Sequence, residues 1–328
     1  MFRFMSAPTE PSAEFLALFR AQADADERMD FARFMALALY APGVGYYRRG
    51  QPRIGFGQGT DFFTASSSGP VFGELVACAC AELLGAAAAQ ATFVEIGNET
   101  PGGILAGVPH PFAGVRTLPL GEPIELSGAC VVFSNELFDA QPFRRFAFRD
   151  GAWRELGVAF RGGRLVETEL ETAPPDELPT LAPEGYVIDA PIAAAALAGQ
   201  IAAQPWTGLF VAFDYGKSWR ELTEACPAGT ARAYHAHQQS NDLLARPGEQ
   251  DLTCHVCWDW IAAALTKHGF AAPALDSQEA FLIRHAQSAI AAISTSEAAH
   301  YSRKKLSLLQ LLHPSHLGQK FQVLHARR

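Results

Sequence analysis

Thr92-Phe93-Val94-Glu95-Ile96-Gly97, followed by Asn98-Glu99-Thr100-Pro101-Gly102-Gly103, is the stretch on which the reading of the fold turns. The first five residues are mostly β-branched or aromatic, and the run breaks at a glycine. A buried strand that ends in a tight loop has this pattern. A helical pattern precedes it: Phe72, Leu75, Val76, Ala79 and Leu83 recur at three- and four-residue spacing. Ser68 and Pro70 stand before that run as a predicted N-cap and first-turn residue. In open α/β sheets, ligands bind beyond the carboxyl ends of the strands, so the glycine loop is a candidate ligand loop.

Working outward, Ala129–Ser134 and Leu209–Phe213 are apolar runs typical of strands buried on both faces. Val115–Leu120 is a weaker strand pattern, and Lys320–His325 a terminal one. Helical patterns fall at 192–203, 258–268, about 277–294 and 303–312. Strands alternating with helices, joined by crossovers too long for hairpins, predict an α/β fold with a mostly parallel sheet. Residues 12–40 read as two helices, the first capped by Ser12 and the second with an apolar face of Phe31, Phe34, Met35, Ala38 and Leu39. The glycine-rich stretch after Gly50 carries Asp61, Phe62, Phe63 and Thr64, as a loop lying over a binding site would. Asp150-Gly151 and Gly162-Gly163 predict two β-hairpins. Residues 229–253 read as an exposed polar stretch.

The chain has 328 residues, enough for one large core with elaborations. Its net charge of −8, from 26 basic and 34 acidic residues, argues against phosphate-backbone binding. No nucleic-acid partner is expected. The N-terminus lacks an apolar core for a signal peptide, and Glu10 and Glu14 count against a transit peptide. No stretch comes close to the ~20 charge-free apolar residues of a membrane span, so a soluble cytoplasmic protein is expected. Six cysteines in this length do not make a disulfide scaffold. Cys254 and Cys257 have no second pair at ligand spacing, and His235, His237, His313 and His316 lack a carboxylate–histidine motif, so no metal site is expected.

Asn135 and Glu136 directly follow an apolar strand, and Asp139 comes three residues later. Such a set suits gripping an amine or a guanidinium. Several motifs also carry a family resemblance. Gly59–Ser66 with Phe72-Gly73-Glu74 resembles the GDFFTS…FGE segment of the MidA-like family, domain of unknown function 185, which are class I S-adenosylmethionine-dependent methyltransferases. Asn135–Pro142 is similar to that family's NEFFDALP, Phe213–Gly216 to its IDYG, and Asp251–Val256 to its DLTAHV.

The resemblance implies a Rossmann-like sheet of seven strands. It implies that residues 1–70 are an N-terminal helical extension with a lid loop, and 71–328 the methyltransferase-like core with an inserted β-hairpin region at about 143–190. It implies S-adenosylmethionine as cofactor and a protein substrate or partner; the family's mitochondrial member methylates an arginine. By the same resemblance, Glu95, Gly97 and Asn98 hold the cofactor's methionyl end, Glu122 is the candidate for its ribose hydroxyls, and Asp61 and Thr64 close the site from above. Asn135, Glu136 and Asp139 are the candidate catalytic residues. The glycine loop departs from the family pattern E-x-G-x-G-x-G: Glu99 and Pro101 stand where glycines belong. A carboxylate there repels the cofactor's own carboxylate, and proline withdraws an amide donor. The alternative is therefore a binding or assembly protein on a methyltransferase scaffold that has lost its cofactor.

Overall fold

The computed structural model describes residues 11–49, 65–297 and 302–328. The chain begins with α1 (Ala13–Gln22), β1 (Arg28–Asp30) and α2 (Phe31–Tyr40). Next come α3 (Pro70–Leu84), β2 (Thr92–Ile96), β3 (Gly114–Leu118) and β4 (Gly128–Asn135). A run of strands follows: β5 (Arg144–Arg149), β6 (Ala152–Arg161), β7 (Arg164–Leu170) and β8 (Val187–Ala190). Then α4 (Ile192–Ala202), β9 (Trp206–Asp214), β10 (Gly216–Lys217) and α5 (Trp219–Glu224) lead to β11 (Arg232–His235), β12 (Gln238–Ser240), β13 (Asp251–Thr253) and β14 (Val256–Cys257). The last elements are α6 (Trp258–Lys267), β15 (Ala274–Ser277), α7 (Gln278–His285), α8 (Gln287–Ser296), α9 (Arg303–Leu312) and β16 (Gln322–Arg327).

Contacts divide these elements into two units. The unit that includes 65–139, 195–216 and the chain from Trp258 onward is an α/β layer structure. Its sheet runs β15-β16-β9-β4-β2-β3; β3, β2, β4 and β9 are parallel and β16 is antiparallel to β9. The family resemblance implies seven strands; among the described residues there are six, and β3 is the edge. One face is covered by α3, α7, α8 and α9, whose Phe72, Leu75, Phe281, Ile293 and Leu308 meet Phe93, Phe133, Val211 and Phe213 of the sheet. Phe72 and Phe213 stack edge to face at 5.3 Å, and Phe93 lies on Phe133 at 5.5 Å. Each such pair contributes ~1 kcal/mol beyond its buried area. Val323 faces this core, so Gln322, one residue earlier, lies on the opposite face. There it accepts a hydrogen bond from Trp258 Nε1 at the start of α6.

Two expectations for this unit need correction. α3 has no side-chain cap from Ser68; its N-cap is Gly69, at φ +75°, a left-handed conformation open to glycine. By length and composition, Pro70–Gln90 is also apolar enough to cross a membrane, with mean hydropathy 1.7 over its best window. Its large side chains are spent on the sheet: Val71, Phe72, Leu75, Val76 and Cys80 are buried there. A core helix covering a wide sheet passes the same test as a membrane span.

The other unit is built on an antiparallel sheet, β8-β5-β6 with β1 and β7 also paired to β6. Both predicted hairpins form, with Asp150 and Gly151 at φ +51° and +73° in a tight turn. Its core joins Phe15, Phe19, Phe31 and Phe34 of α1 and α2 to Phe143, Val158, Ala233 and Leu252. The stretch 229–253 is more ordered than its composition implies: β11 pairs with β12 and β13, and Thr230, Ala231, Gln250 and Leu252 are buried. Cys254 and Cys257 are buried and form no disulfide among the described residues.

Candidate active site at the carboxyl edge of the parallel strands

Register fixes which residues meet. Ile96 pairs with Ser134 and Asn135 with Phe213, so β2, β4 and β9 end side by side, at Gly97, Glu136 and Asp214. The chain leaves β2 for β3 on one side and returns to β4 on the other. The β2–β4 boundary is thus the topological switch point, where open α/β sheets place their ligands.

The glycine loop is held from below by Glu95. This carboxylate is 3% exposed, and its Oε2 accepts the Ile104 backbone N–H at 2.7 Å. Burial pushes its pKa up to about 7, although the Ile104 amide pulls the other way. Gly103 passes directly over it at φ +75°, and a Cβ there would fall 2.2 Å from Glu95 Oε2. No helix forms between 97 and 113; the chain turns through Gly103 N–H to Thr100 O, Ala106 N–H to Gly103 O and Val108 N–H to Leu105 O. Gly97, at φ +74°, donates to Leu118 O of β3 at 2.8 Å, and a Cβ on it would lie 2.9 Å from Leu137 Cδ1. Asn98 Nδ2 donates to Thr100 O, which leaves its buried Oδ1 without a partner among the described residues.

The second loop, 135–139, is organised by Asp214. This fully buried carboxylate accepts the Phe138 and Asp139 amides on Oδ2, at 2.9 and 3.3 Å, and the Tyr215 amide on Oδ1 at 2.9 Å. Glu136 turns the chain at φ +49°, its N–H donating to Phe213 O. Asn135 Nδ2 donates to Ser66 Oγ at 3.3 Å and to Glu136 Oε1 at 3.2 Å; its buried Oδ1 has no partner among the described residues. Burial holds the Glu136 carboxyl well above the ordinary range, and the neighbouring acids Glu99, Asp139 and Asp214 add to it. Asp214 is raised in the same direction, by burial and by Asp139, against the three amides it accepts. Four carboxyl groups therefore share one low-dielectric neighbourhood, and a cation entering it would relieve both repulsion and desolvation.

Residues 116–274 match a family model described as "Putative S-adenosyl-L-methionine-dependent methyltransferase". The whole chain is similar in structure to a COG1565 superfamily member from Burkholderia thailandensis bound to S-adenosyl-homocysteine, with a TM-score of 0.84 and 26% identity over 98% of this chain and 95% of that one. The native structure of a protein from the same superfamily and organism is similar at a TM-score of 0.80 and 27% identity, over the same shares of the two chains. The chain is thus similar to this putative methyltransferase family, whose model matches just under half of it. No curated protein matches it.

Against that family pattern, the switch point brings together Gly97, Asn98, Asn135, Glu136 and Asp139, with Glu95 directly beneath the loop. Glu122 is not brought to the cluster by its backbone position. It sits four residues past the end of β3, exposed, in a turn closed by its own N–H on Pro119 O. Asp61 and Thr64 lie outside the described residues. Two contributors escape sequence reading. Glu99 reads as a departure from the glycine pattern, yet it acts on Glu136 across the switch point. Asp214 stands in the sequence as an acid ending an apolar strand on the same sheet edge and is not among the candidate site residues, yet it carries the conformation of the 135–139 loop. For Asp214 the signal was present: an acid ending an apolar strand beside a second strand ending in Asn-Glu.

Proposed function

We propose that this chain binds S-adenosylmethionine at the switch point and methylates a protein arginine. One observation carries the reading: Glu99, Glu136, Asp139 and Asp214 crowd one site whose neighbours Asn98 and Asn135 each present a buried acceptor with no partner among the described residues. The amide oxygens of Asn98 and Asn135 fit the cofactor's cationic end, because an α-ammonium donates to such acceptors. Gly97, Asn98 and Asn135 would hold it, with Glu95 fixing the loop from below. Bound there, the cofactor supplies an electrophilic methyl group on a sulfonium. Glu136 and Asp139 accept N–H bonds from the guanidinium and hold one nitrogen in line, so alignment supplies much of the rate. Glu136, whose proton affinity is raised by its acidic neighbours, takes the proton that nitrogen gives up.

The test is transfer of labelled methyl from S-adenosylmethionine to arginine-rich protein fractions. Glu136→Gln removes the base and should lower transfer by about 10²–10⁴-fold while leaving cofactor binding within severalfold. Transfer by the variant at the wild-type rate would end the assignment.

A cofactor-free scaffold has one observation in its favour. The Gly103, Ile104 and Ala106 amides of the loop are already bonded inside the protein, and Pro101 has none to offer. Calorimetry with Glu99→Gly separates the two readings. If only the variant binds S-adenosylmethionine, the loop is a degraded site.

A further inference from the structure

On the helix-covered face of the same unit, three side chains far apart in sequence converge: Asp276 of β15, His285 at the end of α7 and His325 of β16. Strand register places Asp276 opposite Val323, so His325, two residues further on, is its diagonal neighbour on one face. α7 packs against that strand pair and brings His285 alongside, the two imidazoles lying 5.6 Å apart with Phe281 against both. One potential ligand atom from each residue lies within 4.8 Å of the others.

We propose that Asp276, His285 and His325 form a binding site for a divalent transition cation of the zinc class, separate from the switch point. His325 Nε2 is 3.5 Å from Asp276 Oδ2 and makes no hydrogen bond among the described residues. That separation is long for a hydrogen bond but close to the ~3.4 Å between two ligands of one tetrahedral cation. A pair at that 4.8 Å limit needs to close by about 1.4 Å, within reach of side-chain rotation. Glu82 Oε1 stands 3.4 Å from His285 Nδ1, the position of a carboxylate that orients a ligand imidazole and leaves its Nε2 lone pair free. Two imidazoles and a carboxylate are a donor set suited to zinc, with a solvent-facing position left over. The three ligand side chains are 12–14% exposed, so an ion can reach them. Arg284 now occupies Asp276, its Nη1 lying 2.8 Å from both oxygens. It is 58% exposed, and such a surface pair yields readily to a competing cation. The site lies away from the acid cluster, since His325 pairs with Val211, three residues before Asp214 on β9. Its role is to clamp β15, β16 and α7 together.

Equilibrium dialysis of the full chain against zinc, with metal analysis and thermal melting, tests the site. The expected result is one tightly held zinc per chain and a melting temperature that rises with zinc. Asp276→Asn and His285→Gln should each weaken binding by at least about tenfold, whereas Arg284→Gln, which frees Asp276, should tighten it. A His313→Gln, His316→Gln double variant, removing the adjacent pair whose rings lie 5.1 Å apart, should bind as wild type. The proposal is overturned if the wild type retains no zinc, or if Asp276→Asn and His285→Gln bind it unchanged. Arg284→Gln alters only an exposed side chain, so an unchanged affinity in that variant also counts against it.

Discussion

Glu95 does two things at once: it ends a strand and it holds the loop that follows. Its carboxyl titrates near 7 when folded, against 4.5 for a free glutamate, so between those values the folded chain binds more protons than the unfolded one. Stability from this residue is therefore full below about pH 4.5 and is lost as pH rises to about 7, by about 3 kcal/mol at most. Glu95→Gln keeps an oxygen for the Ile104 amide and removes the ionisation. Urea unfolding should find the variant close to wild type at pH 5 and more stable at pH 8; equal stability at both would show that the carboxylate is not desolvated. Gly103 follows from the same contact, since a Cβ would fall 2.2 Å from Glu95 Oε2 at φ +75°. Gly103→Ala should cost about 1–3 kcal/mol by the same measurement. In the sequence, Glu95 and Gly97 were legible as the end of a ligand strand. The reason for Gly102-Gly103 was not, because it depends on where a buried carboxylate points.

At the scale of elements, long apolar patterns translated directly. β2, β4, β9, α2, α3, α6 and α9 lie where spacing and composition put them, and both hairpins follow from their glycine turns. The misses are short pieces whose order comes from burial rather than propensity. β1 is three residues between two helices, held by pairing to β6. β11 and β13 rest on Ala233 facing Leu252, which sequence shows only as small apolar residues in a polar stretch. The 135–139 loop belongs to this scale too, since its shape is set by Asp214 on another strand. Asp214→Ala strips the acceptor from the buried Phe138 and Asp139 amides and should cost about 3 kcal/mol in chemical denaturation. Asp214→Asn retains one acceptor and should cost less. If the alanine variant unfolds at the wild-type midpoint with methyl transfer intact, the loop is held by something else.

For the molecule as a whole, family motifs and alternating elements foretold an α/β methyltransferase fold, and the match to the Burkholderia thailandensis structure over 98% of the chain agrees. The implied seventh strand is missing from the described sheet. Only 31 residues separate Gly97 from Ala129, and β3 with its approach uses them. The acid that the resemblance implies for the cofactor ribose does not end β3, which stops at Leu118 ahead of Pro119, so cofactor binding falls to the switch-point groups. Calorimetric titration of the full chain with S-adenosylmethionine at up to millimolar concentration tests this most directly, beside Gly97→Val, which forces a side chain against Leu137 at φ +74°. Saturable binding of one cofactor per chain is expected, weakened at least about tenfold in the variant. Absence of heat in the wild type at millimolar cofactor, or equal binding by the two proteins, would contradict it.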